Sequence, residues 1–209
     1  MKEYLDIKEN LNFNVLKKPA EIIKDGGIVI FPTETVYGIG TNVFDENAVR
    51  RIYNIKERPL NKPISLLVSN MKMVNQVAKE ITQLEYKLME KFFPGPFTII
   101  LKKKDIVPNI ATSNQETVGI RIPANEITLK LIDYAGVPIA TSSSNISSKP
   151  SVTNLKKIIK DFEGKVDYFI DGGESKIGIA STIVQVIDGI PHILRKGPIS
   201  EEQIKDVWK

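Results

Sequence analysis

The chain has 209 residues, of which 42% are hydrophobic and 26% are charged, and its formal net charge at pH 7 is +4. This length and composition favour one globular domain, and the mild positive charge permits phosphate or nucleic-acid ligands without requiring them. Because the sequence has no cysteine and a single histidine, His192, it excludes disulfides, cysteine-ligated zinc and sites with two histidine ligands. No apolar run approaches the ~18 residues of a membrane span, and the N-terminal segment lacks the apolar core of a secretory signal, so we expect a cytoplasmic protein.

Short apolar, β-branched segments alternate with segments of helical period, which predicts an α/β fold with a mixed sheet. The predicted strands are residues 28–31, 64–68, 97–101, 118–122, 137–140, 168–170, 182–187 and 192–194. The predicted helices are residues 19–24, 46–56, 81–93, 127–135, 155–162 and 201–208. Asp188–Gly189, between the last two strands, predicts a hairpin turn. Because helices and strands intermingle over residues 1–209, we expect one domain and no additional C-terminal domain.

The segment PTETVYGIG, residues 32–40, follows the first predicted strand. A phosphate loop is absent, and Val43 stands where the dinucleotide fingerprint needs its third glycine, so neither glycine-rich cradle fits. We interpret the segment as a turn that places threonine hydroxyls just outside the sheet, where ligands of α/β proteins collect. An ordinary strand exit, with those hydroxyls bonded to nearby backbone, is the alternative.

The segment KERPLNKPIS, residues 56–65, combines three cations with two prolines. Lysine and arginine side chains on a backbone stiffened by proline could bind an anion, because little ordering is left when the ligand arrives. A solvated helix end followed by a turn is the alternative.

Three further segments place hydroxyl or charged side chains within or directly after predicted strands. The segment TSSSNISSKPS, residues 141–151, could bind phosphate or carboxylate oxygens through its hydroxyls, or could form a capped turn. Arg121 lies within a predicted strand, so it either faces solvent or pairs with a carboxylate. Lys102–Lys104 ends another strand, and we interpret it as a solvated sheet edge.

These segments occur in an order that resembles the YrdC-like family, the L-threonylcarbamoyladenylate synthases. The matching motifs are PTETVYGIG at 32–40, KERPLNKPIS at 56–65, FPGPFT at 93–98, VGIRIP at 118–123, SSSNISSKPS at 142–151, STIV at 181–184 and ILRKG at 193–197. The combination Lys-x-Arg with Ser-x-Asn is the family's hallmark, and it is formed here by Lys56, Arg58, Ser143 and Asn145.

The resemblance implies an open, twisted, mixed β-sheet with flanking helices and a large basic concave surface. It implies that L-threonine, bicarbonate or CO2, and ATP with Mg2+ are condensed to threonylcarbamoyl-AMP and pyrophosphate. A partner transferase complex would then modify the adenosine beside the tRNA anticodon, and weak RNA binding would be possible.

The resemblance also implies a role for individual residues, although it identifies no metal ligand. Lys56 and Arg58 would be catalytic. Threonine would be bound by Thr35, Arg121, Thr141 and Ser181. ATP would be bound by Arg58, Lys62, Ser143, Asn145, Ser151 and Arg195.

The sequence departs from the family pattern at three positions. Glu34 replaces the commoner aspartate, Leu67 stands where some relatives have a histidine, and Ser148 replaces a glycine of the serine-rich loop. Two other readings are a non-catalytic RNA-binding module of this fold and a carbamoyl-AMP-forming domain. The second normally accompanies zinc-finger segments, which would need cysteines.

Overall fold

The computed structural model describes residues 3–8, 12–146 and 152–208. They form one ten-stranded sheet in the order β1-β8-β2-β3-β7-β4-β6-β5-β9-β10. The strands are β1 Glu3–Asp6, β2 Val29–Phe31, β3 Gly38–Asn42, β4 Ser65–Leu67, β5 Phe97–Lys102, β6 Thr117–Arg121, β7 Ile139–Ser143, β8 Tyr168–Asp171, β9 Thr182–Ile187 and β10 Ile190–Arg195. Parallel pairs (β1 with β8, β2 with β8, β4 with β6, β5 with β9) adjoin antiparallel ones, which confirms the mixed sheet.

Helices flank the sheet and cover a continuous apolar core. The helices are α1 Lys17–Lys24, α2 Glu46–Lys56, α3 Met71–Val77, α4 Gln83–Phe92, α5 Asn109–Thr112, α6 Glu126–Ala135, α7 Ile159–Phe162 and α8 Glu201–Trp208, with 3-10 turns at Phe13–Leu16 and Leu155–Lys157. Across the described ranges, every helix is too short or too polar to cross a bilayer.

Local sequence explains where the helix that leads into KERPLNKPIS begins and ends. Asp45 caps α2 by accepting a hydrogen bond from the Ala48 amide, which satisfies an otherwise unpaired donor. Val49 and Ile52 lie on its buried face. The helix ends at Lys56 because Glu57 adopts the left-handed conformation, with φ 52°.

The predicted strands are all present, and the structure adds elements that the sequence patterns did not predict. The additional elements are β1, β3, α3 and α5. Residues 38–40, the end of the segment interpreted as a turn, belong to strand β3. The hairpin at Asp188–Gly189 is confirmed, since both residues have positive φ between β9 and β10.

The interpretation of Lys102–Lys104 as a solvated edge is wrong. Strand β5 lies inside the sheet, between β6 and β9. Lys103 is only 5% exposed, and its Nζ donates to the Val107 carbonyl oxygen at 3.0 Å and to Asn109 Oδ1 at 2.8 Å. The side chains of the neighbouring Lys102 and Lys104 are exposed. Of these three lysines, Lys103 alone is buried, directly after the end of β5.

Candidate active site

A cavity of about 220 Å³ lies against seven consecutive strands, from β3 to β10 in the sheet order. Every one of these strands contributes at least one lining residue. One residue from each, in sheet order, is Gly38, Thr141, Ser65, Arg121, Thr98, Ile183 and Arg195. The cavity therefore brings together segments that are distant in sequence.

Three arginines line this cavity: Arg58, Arg121 and Arg195. Burial lowers the pKa of Arg195, and the positive charges of Arg121 and Arg58 lower it further. The repulsion among these like charges acts in the same direction as burial. An anionic ligand in the cavity would relieve it.

Arg121 is the last residue of β6, and its side chain is held on three sides. Its Nε donates to the Gly95 carbonyl oxygen at 3.0 Å, and its Nη1 donates to Thr35 Oγ1 at 3.0 Å. Its Nη2 lies 2.7 Å from Glu34 Oε1, an ion pair whose atoms are not aligned as a hydrogen bond. Burial lowers the pKa of Arg121, and Glu34 partly offsets this effect. The carboxylate-paired alternative is confirmed, and the solvent-facing one is wrong.

The threonines of PTETVYGIG form a short chain of hydroxyl groups behind Arg121. Thr33 Oγ1 donates to the Val36 carbonyl oxygen at 2.6 Å, so its proton is used. The 2.9 Å contact between Thr33 Oγ1 and Thr35 Oγ1 must then use the Thr35 proton. Since Thr35 also accepts from Arg121, it keeps no proton for a ligand. Its geometry is that of a residue that orients Arg121.

The glycines of the same motif allow strand β3 to pack closely against strand β7. Gly38 and Gly40 lie on β3 opposite Ser143 and Thr141 of β7. A Cβ at Gly40 would come within 2.9 Å of Thr141 Oγ1 and 2.5 Å of a methyl carbon of Ile139. Only glycine fits this close approach, which explains its presence inside a strand.

The start of β9 and the end of β10 meet at Ser181. Arg195 donates to the Ser181 carbonyl oxygen from Nε at 3.0 Å and from Nη2 at 2.8 Å, and Nη2 is also 3.0 Å from Ser181 Oγ. Ser181 Oγ lies 2.7 Å from Thr98 Oγ1. Thr98 is a cavity-lining residue that the sequence reasoning missed, although it ends the FPGPFT motif.

The KERPLNKPIS segment folds back on itself and presents one of its three cations to the cavity. Arg58 donates from Nε to the Lys62 carbonyl oxygen at 3.0 Å and from Nη2 to the Pro63 carbonyl oxygen at 2.8 Å. The Tyr53 hydroxyl also donates to the Lys62 carbonyl oxygen, at 3.0 Å. The Lys62 side chain is exposed and does not line the cavity. This segment is therefore an ordered loop instead of a merely solvated turn.

Lys56 lies behind the cavity, 1% exposed. Its ammonium group donates to the carbonyl oxygens of Ser143 and Asn145. Burial lowers the pKa of Lys56 from its ordinary value of 10.5 to about 7, with a further contribution from Arg58. Lys56 therefore contacts the other hallmark residues through their backbone atoms. Its side chain, at the end of α2, binds the carbonyl oxygens of Ser143, the last residue of β7, and of Asn145 just after it.

The serine-rich segment is only partly on the cavity wall. Thr141 and Ser143 line it, and Thr141 Oγ1 donates to the Ile139 carbonyl oxygen at 3.2 Å. Asn145 lies beyond the lining residues, with its Nδ2 donating to the Ile146 carbonyl oxygen at 3.0 Å. Ser151, which was predicted to bind ATP, and Ser148, which departs from the family pattern, lie outside the described part of the chain.

The described residues offer no cluster of three or more His, Asp or Glu side chains that could hold a metal ion. Glu34, the carboxylate beside the cavity, is already paired with Arg121. The cavity is therefore suited to anions and hydroxyl groups.

Residues 21–197 match the model of the Sua5–YciO–YrdC family, whose description is "Telomere recombination". The chain belongs to this family. The matched range contains every lining residue of the cavity, from Thr33 to Arg195, so the cavity is part of the Sua5–YciO–YrdC domain itself.

Relatives with assigned names support the same conclusion. Threonylcarbamoyl-AMP synthase of Pyrococcus abyssi is 41% identical over 203 residues, which are 97% of this chain and 60% of that protein. The Bacillus subtilis protein of the same name is 36% identical over 207 residues, 98% of this chain and 60% of that protein. The crystal structure of P. abyssi Sua5 complexed with L-threonine superposes with a TM-score of 0.94 at 41% identity, covering 98% of this chain and 60% of that one. This Sua5–YciO–YrdC chain thus spans about three fifths of the length of these relatives.

Proposed function

We propose that the chain is an L-threonylcarbamoyladenylate synthase, a nucleotidyltransferase that condenses L-threonine, bicarbonate or CO2, and ATP to threonylcarbamoyl-AMP and pyrophosphate. The observation that carries this proposal is the convergence of Arg58, Arg121 and Arg195 on one cavity, together with buried hydroxyl groups. The names of the relatives that match nearly all of this chain point to the same reaction.

The chemistry explains why such a site needs cations more than it needs a base. The neutral amino group of threonine attacks CO2, a C–N bond forms, and the nitrogen releases one proton to solvent, which leaves an N-carboxylate. One oxygen of this carboxylate attacks the α-phosphorus of ATP, a new P–O bond forms, the bond from that phosphorus to the bridging oxygen breaks, and pyrophosphate leaves. The N-carboxylate and ATP are both anionic, so preorganised positive groups that stabilise phosphoryl oxygens supply most of the catalysis.

The amino-acid end of the cavity is built around Arg121. Its guanidinium is preorganised by Thr35 and Gly95, which suits it to bind the threonine carboxylate. Thr141 and Ser181 line the same cavity and bind the remaining polar atoms of threonine. Thr35 contributes to threonine binding by holding Arg121.

The nucleotide end is built around Arg58 and Arg195, which offer planar donor groups to phosphate oxygens. Ser143 lines the cavity beside them. We assign Lys62, Asn145 and Ser151 to ATP on the family resemblance, since Lys62 and Asn145 do not line the cavity and Ser151 lies outside the described residues. Mg2+ enters with the ATP phosphates, as is general in nucleotidyl transfer.

Lys56, the lysine of the family hallmark, does not line the cavity and acts on the backbone of Ser143, which does. The ammonium of Lys56 fixes the carbonyl oxygens of Ser143 and Asn145 and so sets the position of the chain that faces the phosphates. When the amino group is protonated, it also adds to the positive potential around Arg58. The product is passed to a transferase complex that modifies tRNA, and weak RNA binding by the enzyme accompanies this transfer.

The test is pyrophosphate release by the purified protein, with threonine, bicarbonate and ATP each omitted in turn. We expect release only when all three are present. Salt-sensitive RNA binding without any threonine-dependent release would instead identify a non-catalytic RNA-binding module, because phosphate neutralisation alone supports such binding. Release that proceeds with bicarbonate and ATP but without threonine would contradict the assigned substrate.

A further inference from the structure

Thr98 and Ser181 place two hydroxyl groups side by side in the wall of the cavity. Their oxygens are 2.7 Å apart, and the residues are 1% and 3% exposed. Thr98 is on β5 and Ser181 directly precedes β9, its parallel neighbour in the sheet. Both residues line the cavity, so a ligand can contact either of them.

Counting protons shows that this pair is incomplete without a ligand. Each hydroxyl carries one proton, and the single contact between the two oxygens uses only one of them. Arg195 is a donor to Ser181 Oγ, so it takes an acceptor site and supplies none. Among residues 3–8, 12–146 and 152–208, no other hydrogen bond involves either hydroxyl. One buried O–H therefore needs an acceptor from the cavity, since an unpaired buried donor is unfavourable.

The pair matches a ligand hydroxyl better than a ligand carboxylate. Either member can act as the internal donor, so the pair can give one hydrogen bond and accept another. A hydroxyl group needs both, whereas a carboxylate only accepts and is better served by a guanidinium. Of the other threonines assigned to this substrate, Thr35 has already used its proton on Thr33, and Thr141 donates its proton to the Ile139 carbonyl oxygen. Ile183 and Leu67 line the same cavity and offer apolar surface to a methyl group.

We propose that Thr98, acting with Ser181, is the specificity-determining residue that recognises the side-chain hydroxyl of the amino-acid substrate. This inference rests on the proposed function, because it takes threonine as that substrate. Thr98 recognises the substrate hydroxyl, whereas Thr35 orients Arg121.

The experiment compares kcat/KM for threonine, serine and valine at saturating ATP and bicarbonate. A site that hydrogen-bonds a substrate hydroxyl rejects the analogue that lacks it, so the wild-type protein should prefer threonine to valine by at least roughly 10²-fold. Serine, which lacks only the methyl group, should lose less, about 10-fold. Thr98→Val keeps the shape of the side chain and removes its hydroxyl. We expect the threonine-to-valine ratio to fall at least about tenfold, and serine to fall together with threonine.

Three further variants make the result specific. Thr98→Ser keeps the hydroxyl and should retain the wild-type ratio. Thr98→Ala carries the same expectation as Thr98→Val, so the test survives if valine impairs folding. Thr112→Val is the matched control, because Thr112 is also fully buried but belongs to α5 and does not line the cavity.

The outcomes separate this inference from the proposed function. If Thr98→Val and Thr98→Ala lower kcat/KM equally for all three amino acids, Thr98 does not recognise the hydroxyl and the inference is wrong, while the enzyme class stands. If the wild-type protein shows no threonine-dependent pyrophosphate release, the proposed function itself is wrong and the inference falls with it.

Discussion

Arg121 Nη2 and Glu34 Oε1 are 2.7 Å apart, and the two side chains are 8% and 9% exposed. A buried ion pair of this kind places a negative charge directly behind the guanidinium that faces the cavity. The pair fixes the position of the Arg121 guanidinium more than it stabilises the fold, because the free-energy cost of removing two charges from water offsets much of their attraction. Removing one partner is strongly destabilising, because the other charge is then left buried and uncompensated.

Glu34→Gln should therefore destabilise the protein. The substitution keeps the shape of the side chain and removes its charge, and we expect a loss of roughly 3 kcal/mol in the free energy of unfolding, measured by urea titration. Glu116→Gln, at an exposed position before β6, is the control and should leave stability unchanged. A Glu34→Gln variant as stable as the control would show that the contact does not compensate Arg121.

Arg58→Ala should lower turnover by roughly 10²–10³-fold, the scale for removing one preorganised donor that stabilises developing charge. The fold should persist, because the hydrogen bonds of Arg58 Nε and Nη2 go to carbonyl oxygens of its own loop. The control is Arg51→Ala, which removes an exposed arginine of α2 that pairs with Asp167. Unchanged turnover in a folded Arg58→Ala protein would mean that the loop does not bind the triphosphate.

Lys56 should give the stability of the protein a distinctive pH dependence. The pKa of Lys56 is about 7 in the folded state and near 10.5 in the unfolded state, so between these values the unfolded chain binds more protons. Stability contributed at this position must therefore rise with pH across that window, by at most about 1.4 kcal/mol per pH unit. Urea titrations of wild-type and Lys56→Met proteins from pH 7 to 10 measure it. Parallel curves for the two proteins would contradict the folded-state pKa.

Gly40→Ala should be more harmful than the same change at Gly119. The new Cβ would meet Ile139 at 2.5 Å and Thr141 Oγ1 at 2.9 Å, whereas at Gly119 the nearest atom, Ser65 Oγ, is 3.0 Å away. Overpacking of this kind costs about 1–3 kcal/mol, and we expect Gly40→Ala at the upper end with weakened threonine binding. Thermal unfolding and calorimetric titration are the measurements. Equal effects of the two substitutions would show that β3 and β7 can move apart.

Sequence patterns predicted the positions of most strands and the ends of several helices, because apolar periodicity and helix-ending residues are local signals. They did not predict β3, because glycine is depleted in strands and Gly38–Gly40 has the composition of a turn. The reason for those glycines is Thr141, more than 100 residues away, and that neighbour is visible only in the folded sheet. The short helix Met71–Val77 was missed for lack of a long periodic segment.

The site was predictable to different degrees. The cations of KERPLNKPIS are visible in sequence, but only the structure shows that Arg58 faces the cavity while Lys56 holds the opposite chain. The alternative that Arg121 pairs with a carboxylate was available from its position in a strand, yet the identity of Glu34 as its partner was not. Thr98 gave no distinct signal, since a threonine in a strand is ordinary and its partner Ser181 lies 83 residues further along the chain.

Seven strands form the wall of the cavity, so the cavity is complete only when the sheet has folded. The contacts that define it join residues far apart in the chain: Arg121 to Thr35 across 86 positions, Lys56 to Ser143 across 87, and Thr98 to Ser181 across 83. Such non-local pairings are slow to form, because the chain must close long loops first, so we expect the complete cavity only in the folded protein. Any ligand of this cavity must therefore bind the completed sheet alone. Each tenfold excess of ligand over its Kd then adds about 1.4 kcal/mol to the free energy of global unfolding, by mass action.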